Sequence, residues 1–510
     1  MLSKVTSYAL VGLDGVPVEV ETDINKGMVC YDLVGLPDAA VKESKQRVFS
    51  AIRNSALRFP VNKITVNLAP ADIKKEGSQY DLPIAVSLLI ASGQLSAKTD
   101  GTVILGELAL DGGLRPVAGI LPILISAKSR GYTRFIVPFG NYNEASYIEG
   151  IEVYALKTLR EAYEFLEGNA SFAPVAVKSY EAVKNKAVYN CDFSLVRGQA
   201  IAKRAMEIAV AGGHNVLLSG PPGSGKTMLA RCLPTIMPDM TFEEALEVTK
   251  ILSVSGELGE EGIALLRPFR TPHHTASTVS LCGGGNAKIR AGEITKAHRG
   301  VLFLDELPEY SRAALEALRQ PLEDGKITVT RAGGAVTFPA DFILCASMNP
   351  CPCGNLGSKD KRCTCTPMQI RRYRSKISGP LLDRIDLQVE VDAVAYDDLT
   401  VGEAEETSAE IKKRVERARA IQRERFLNEE GISVNSDMGE RQINEYCKLS
   451  AECERILRAA FERLKLSARA RSRIIKVART IADLDCAAEI QPAHVLEAAS
   501  YRNFDSTVEL

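Results

Sequence analysis

The sequence predicts an α/β fold in three parts: an N-terminal α/β domain, a parallel-sheet core around a phosphate-binding loop, and a helical C-terminal lid. Three observations predict it. Short apolar runs of strand length alternate with helix-length amphipathic stretches over the first two thirds of the chain. A glycine-rich loop, Gly220-Pro221-Pro222-Gly223-Ser224-Gly225-Lys226-Thr227, lies between an apolar run (Val216-Leu217-Leu218-Ser219) and a stretch of helical spacing. Beyond 391 the strand signals stop and charged, helix-periodic segments take over.

In chain order, residues 1–168 read as a compact α/β domain. Val16, Val18 and Val20 alternate with polar or turn residues, as do Ile64, Val66 and Leu68, the pattern of half-buried strands. Helices are predicted over 38–58, 82–92 and 119–130, with buried strands at Val103-Ile104-Leu105 and Phe135-Ile136-Val137. Residues 169–192 carry little periodicity and read as a linker. Residues 193–390 form the nucleotide-binding core, and 391–510 the helical lid, with helices over 404–428, 451–465, 468–482 and 492–500.

The chain has 510 residues, a net charge of -1 and twelve cysteines, most of them scattered. A near-neutral chain does not coat nucleic acid with its whole surface, so any DNA contact is a local patch or lined channel. No apolar run is long enough for a bilayer, Asp14, Glu19 and Glu21 interrupt any signal-peptide pattern, and the cysteine usage suits a reducing cytoplasm.

The phosphate loop carries most of the chemistry. Its glycines let backbone N–H groups wrap phosphates, Lys226 would reach the outer phosphates of ATP, and Thr227 would ligate Mg2+. Val301-Leu302-Phe303-Leu304-Asp305-Glu306 reads as a buried strand ending in two carboxylates. Asp305 would hold the Mg2+ hydration shell, and Glu306 would orient and deprotonate the attacking water. Asn349, after the apolar strand Phe342-Ile343-Leu344-Cys345-Ala346, would touch the γ-phosphate; the alternative is an Asn-Pro turn. Arg384 offers a charge that a neighbouring subunit could use in the transition state, against the alternative of a salt bridge to Asp383 or Asp386. Arg469 would contact nucleotide from the lid, with Arg471 and Arg473 as close competitors.

Cys351-Pro352-Cys353-Gly354 and Cys363-Thr364-Cys365 offer four thiolates for one tetrahedral Zn2+; the alternative is four reduced thiols. Lys361, Arg362, Arg371, Arg372, Arg374 and Lys376 flank them with positive charge. His273-His274 is a poor metal pair, because adjacent side chains diverge on a regular strand or helix.

Three resemblances extend this reading. Gly106-Glu107-Leu108-Ala109-Leu110-Asp111-Gly112-Gly113-Leu114-Arg115-Pro116-Val117-Ala118-Gly119-Ile120 resembles the proteolytic domain of Lon proteases, of S5 domain 2-like α/β fold. Gln79 and Leu121 stand where that family keeps its Ser nucleophile and Lys base, and neither can do that chemistry. Ser78 is one residue away, but no lysine appears at 119–122, and Lys74 and Lys75 read as surface charges or a weak nucleic-acid contact rather than catalysts. The phosphate loop, Asp305-Glu306, Asn349 and Arg384 together resemble AAA+ ATPases, whose segment near the adenine matches Leu195-Val196-Arg197-Gly198-Gln199. The order over 195–390 is similar to the magnesium-chelatase clade, which carries a helix insert and a pre-sensor hairpin facing a ring's pore. Thr271 through Asn286 falls at that insert, with Lys288 and Arg290 as its basic residues, and 326–338 falls at the hairpin. Arg331 stands where helicases of the clade place a basic pore residue; the alternative is a solvated turn arginine.

With Ser467-Ala468-Arg469 and the tail over 474–484, the whole chain closely resembles the YifB/ComM family of magnesium-chelatase-related proteins. The resemblance implies a cytoplasmic homo-hexameric helicase acting on single-stranded or branched DNA, promoting branch migration as in natural transformation. The competing expectations are a chelatase-type motor that remodels a protein partner and a non-enzymatic or proteolytic assembly. The intact Asp305-Glu306 pair opposes a non-enzymatic assembly, and the missing Ser-Lys pair opposes a proteolytic one.

Overall fold

The computed structural model describes residues 1–285, 289–331, 334–357, 361–392, 405–464 and 467–502. Its contacts divide into two units. The first comprises 1–186, with 241–265 and 286–290; the second comprises the rest, from 187.

The first unit is built on a seven-stranded mixed sheet. Its order is Cys30–Val34, Lys63–Ala69, Asp14–Asn25, Leu2–Val11, Thr102–Ile104, Arg134–Pro138, Glu152–Leu156. Leu2–Val11 and Asp14–Asn25 form an antiparallel hairpin, while Thr102–Ile104, Arg134–Pro138 and Glu152–Leu156 run parallel. The alternation read from the sequence decides the faces: Val18, Val20, Ile64, Val66 and Leu68 are all buried. Each such side chain, fully buried, contributes about 1.5–3 kcal/mol. The predicted helices appear as Ala39–Lys42 with Ser44–Asn54, Asp81–Ala91 and Ile120–Ser129. The helix Asp81–Ala91 is apolar all round and almost wholly buried, which is why no amphipathic stripe marks it. The helix Phe242–Ser255, inside the stretch read as ATPase core, packs with this unit: the Ser253 hydroxyl donates to buried Glu144. Of the segment read as a linker, 169–186 also lies on it, with Val175 and Tyr180 buried and Lys178 N donating to Ser146 O, while 187–192 belongs to the second unit.

The second unit holds a five-stranded parallel sheet, in the order Phe269–Arg270, Val301–Leu304, Ile343–Met348, Val216–Ser219, Leu387–Glu390. Its central strands are buried on both faces, as their unbroken apolar runs require. The C-terminal helices share its core: Leu218, Phe303 and Cys345 cluster with Val415 from Ser408–Arg425 and with Ile474 and Ile481 from Ala468–Leu484. Ser408–Arg425 starts later than the charge pattern suggests, because Thr407 and Glu410 close a capping box there. Among the described residues, no helix is long and apolar enough to cross a membrane.

Candidate active site

The strand register brings the candidate residues together. Ser219 pairs with Met348 and Leu304 with Ala346, so the phosphate loop, Asp305 and Asn349 all leave the sheet at its carboxyl edge. That edge is where parallel α/β sheets bind ligands. Gly220 makes the tight exit possible: a Cβ there would lie 2.1 Å from Val391 O. Gly223 and Gly225 take φ of 81° and 86°, a left-handed backbone that side chains resist.

Within the loop, Lys226 Nζ donates to Gly220 O (2.7 Å) and Pro221 O (2.8 Å) and lies 3.5 Å from Asn349 Oδ1. Burial pulls the Lys226 ammonium below its ordinary value, while Asp305 and Glu306 work against that. Thr227 Oγ1 donates to Asp305 Oδ2 at 3.2 Å, and the Ser347 hydroxyl donates to the other Asp305 oxygen. A hydroxyl and a carboxylate at this separation, beside a lysine aimed at the loop, suit a hydrated Mg2+ on a nucleotide phosphate. Gln199 sits at the N-terminus of the helix Ala200–Gly212, its amide donating to Asp392 O (2.7 Å) and reaching Ser224 O (3.5 Å).

Glu306 is half exposed and takes a left-handed φ of 53°, which turns it out of the strand direction. Its backbone N–H donates to Asp305 Oδ1 (3.1 Å) and Ser347 Oγ (3.3 Å). Its carboxylate has a partner that the sequence did not suggest: His274 Nδ1 lies 3.3 Å from Glu306 Oε2. The His274 ring packs against His273 and Tyr310, and Tyr310 donates to Pro272 O (2.5 Å), bracing the segment. Burial, then Asp305 and Glu306, push the Tyr310 phenol well up, so it stays a donor. The two side chains do not diverge as on a regular strand or helix, since their rings lie 4.1 Å apart, and His273 Nδ1 turns to Thr275 Oγ1 at 2.9 Å. Their one sequence-level signal was a histidine just past the edge strand, and it needed the strand order to be read.

Arg384 and Arg469 form a separate group. Arg384 is buried, donating to Pro380 O (2.8 Å) and to Glu323. The salt-bridge partner is therefore neither Asp383 nor Asp386 but a residue 61 positions away, out of reach of local reading. Arg384 pulls the Glu323 carboxyl down, and exposed Arg469 and half-buried Arg473 add to the effect. Arg473 itself donates to buried Asp386 (2.5 Å), which also holds His214. Burial alone would raise the Asp386 carboxyl; Arg473, His214 and Arg502 outweigh it and hold it far below the usual range.

The predicted hairpin is Lys326–Arg331 paired antiparallel with Gly334–Pro339. Ile327, Val329 and Phe338 anchor one of its faces. Arg331 closes the register opposite Gly334. Arg290 is exposed in the short strand Arg290–Ala291, and Lys288 lies outside the described residues.

Cys351, Cys353, Cys363 and Cys365 converge, their sulfurs all within 4.8 Å of one another. The basic flank beside them is divided: Lys376 pairs with Glu309 (3.1 Å) and Arg374 turns inward to Pro350 O (3.3 Å).

In the first unit, Gln79 and Ser78 line a cavity of about 230 Å³ with Glu107, Lys74 and Glu76. The Ser78 hydroxyl donates to Glu107, and Lys74 pairs with Glu76 (2.8 Å). Leu121 is fully buried, its N–H donating to Glu144 Oε1 (2.8 Å). Lys75 is no surface charge: it is fully buried and its ammonium donates to Pro70 O. Burial lowers its pKa.

Comparison with known proteins accounts for nearly the whole chain. Residues 192–399 match the family described as magnesium chelatase, subunit ChlI; 20–141 match subunit ChlI of Mg-chelatase, and 405–502 its C-terminal domain. An uncharacterized Escherichia coli protein, YifB, is 44% identical over 99% of this chain and 97% of its own length. The competence protein ComM of Haemophilus influenzae is 43% identical over 98% and 97%. A magnesium-chelatase 67 kDa subunit of Chlorobaculum parvum is 28% identical over 31% of this chain and 23% of its own length. With two full-length relatives at this identity, the chain belongs to the YifB/ComM family of magnesium-chelatase-related AAA ATPases.

Proposed function

We propose that this protein is an ATP-hydrolysing ring motor that drives branch migration of recombining DNA in the cytoplasm, as a homo-hexamer on single-stranded or branched DNA. The reading is carried by one arrangement: Lys226, Thr227, Asp305, Glu306 and Asn349 share one sheet edge with the hydrogen bonds a Mg2+–ATP site needs. Lys226 and the loop amides bind phosphates, Thr227 and Asp305 hold Mg2+, Glu306 activates water, and Asn349 orients it. Arg384 and Arg469 act from the second group, across the junction between ring neighbours and from the lid. The DNA role draws on the name of the competence protein ComM, on the hairpin that presents Arg331, and on Arg290 and Lys288. The first domain is read as protease-like in fold, without the dyad.

The test is a three-strand DNA intermediate with wild type, Glu306→Gln and Arg331→Ala. The expected result is migration by wild type alone, with Arg331→Ala keeping basal ATP turnover. ATP turnover that ignores DNA and never moves a branch would discard the DNA reading. It would favour the second one, a chelatase-type motor on a protein partner, for which the partial match to the 67 kDa subunit speaks.

A further inference from the structure

The four-cysteine loop is joined to the ATP site on two sides. Its sulfurs have tetrahedral spacing: Cys351 and Cys353 are 3.4 Å apart, and Cys363 lies 3.6 Å from each. Four thiolates about 2.3 Å from one zinc would stand about 3.8 Å apart, so a small local expansion admits the ion. Reduced thiols this close can make only weak S–H···S hydrogen bonds, whereas one shared ion would bind all four sulfurs.

The cysteine turn also touches the phosphate loop. Gly354 closes it by donating to Cys351 O (2.9 Å), with φ of 78°. A Cβ on Gly354 would lie 2.7 Å from Pro222 Cδ, so the turn rests directly on the loop. On the other side, Cys351 follows Asn349 by two residues, and Asn349 Oδ1 faces Lys226 Nζ. Pro350 O accepts from Arg374 Nε (3.4 Å) and Nη2 (3.3 Å), on the helix Pro367–Arg374 that begins just after Cys365. Closing the cysteine loop thus ties strand, helix and phosphate loop at one point.

We propose that Cys351, Cys353, Cys363 and Cys365 hold one zinc ion that acts as a positioning clamp, keeping Asn349 and the Pro222 side of the phosphate loop in register for ATP hydrolysis. This rests on the ATP-site reading above. The zinc touches no reacting atom; its removal frees the sensor strand end and the loop to drift apart, which lowers turnover and loosens nucleotide.

The experiment uses the full chain. Zinc is counted by elemental analysis, Co2+ replacement is read by its tetrahedral thiolate absorption, and a fluorescent ATP analogue reports binding separately from turnover. Wild type is compared with Cys353→Ser, Cys365→Ser, the exposed-site control Cys486→Ser and the loop control Lys226→Ala. Close to one zinc per chain is expected in wild type and Cys486→Ser. Loss of zinc in the ligand variants should cut turnover by about ten- to a hundredfold. Should a ligand variant fail to fold, wild type stripped by a chelator and refilled with Zn2+ answers the same question, since turnover should fall and return. Wild type without zinc overturns the metal site. Zinc that leaves with turnover and analogue binding unchanged overturns the clamp. Zinc-loaded wild type that binds the analogue no better than Lys226→Ala overturns the ATP-site reading itself, a separate failure.

Discussion

Two pockets at strand ends, one in each unit, differ in what their polar groups face. Around the phosphate loop, Lys226, Thr227, Asp305 and Glu306 are held by neighbours yet converge on one space. In the cavity of the first unit, Ser78 is bound to Glu107 and Lys74 to Glu76, and beside it in sequence buried Lys75 donates to a backbone carbonyl. Leu121 is fully buried and donates its N–H to Glu144. Polar residues at a strand end are therefore not a site by themselves. The phosphate-loop groups put a lysine, a hydroxyl and two carboxylates together at one sheet edge, whereas the polar groups of the first unit pair off with single neighbours.

The sharpest break in this contrast is the loss of one group from the working pocket. Glu306→Gln should lower ATP turnover by about a hundred- to ten-thousandfold with nucleotide binding kept, measured by phosphate release beside analogue titration. A variant with wild-type turnover would remove Glu306 from the chemistry.

The converse change tests the cavity of the first unit. Gln79→Ser with Leu121→Lys should yield no peptide cleavage and should lower the unfolding temperature, because an ammonium replaces a fully buried leucine at a cost of several kcal/mol. A stable double variant that cleaves casein would show that only two side chains separate the pockets.

His274→Ala sharpens the comparison by removing a holding group rather than a reacting one. We expect kcat to fall by about ten- to a hundredfold with ATP affinity unchanged, since Glu306 loses orientation but not its carboxylate. A fall in affinity with kcat intact would place His274 in binding instead.

The smallest effect concerns Asp81, buried in the first unit and paired with Arg47 at 2.6 Å. Burial pushes its carboxyl up to about 6, with Arg47 opposing. The unfolded value is near 3.9, so the folded state binds the extra proton between the two values. This stabilisation is full below about pH 4 and is lost as the pH rises through about 6, on the order of 2–3 kcal/mol. Hydrogen exchange of the helix Asp81–Ala91 in the full chain, corrected for intrinsic rates, should show that loss, and Asp81→Asn should flatten it. Equal protection at pH 5 and pH 8 in wild type would place the carboxyl in its ordinary range.

Local pattern was enough for most elements. Alternation marked Asp14–Asn25 and Lys63–Ala69, unbroken apolar runs marked Val216–Ser219 and Val301–Leu304, and the helix Pro492–Ser500 has the bounds that its periodicity suggests. The phosphate loop and the acid pair were legible for the same reason: their chemistry is written in consecutive residues. His274 beside Glu306 was not legible, because 31 residues and a strand crossover separate them. Nor was Glu323 as the partner of Arg384, nor the burial of Lys75, since exposure is a property of packing and charge alone predicts a surface.

The sequence by itself determined the two α/β sheets, the helical tail, the nucleotide loop, the acid pair and the four cysteines, because periodicity and adjacent-residue chemistry act over a few positions. Only the tertiary structure decided which polar groups are spent on each other and which face a common space. It also decided that Phe242–Ser255 packs with the first unit and that the cysteine turn rests on Pro222. Those outcomes depend on contacts between residues far apart in the chain, where packing and the pairing of buried charge, not local propensity, set the answer.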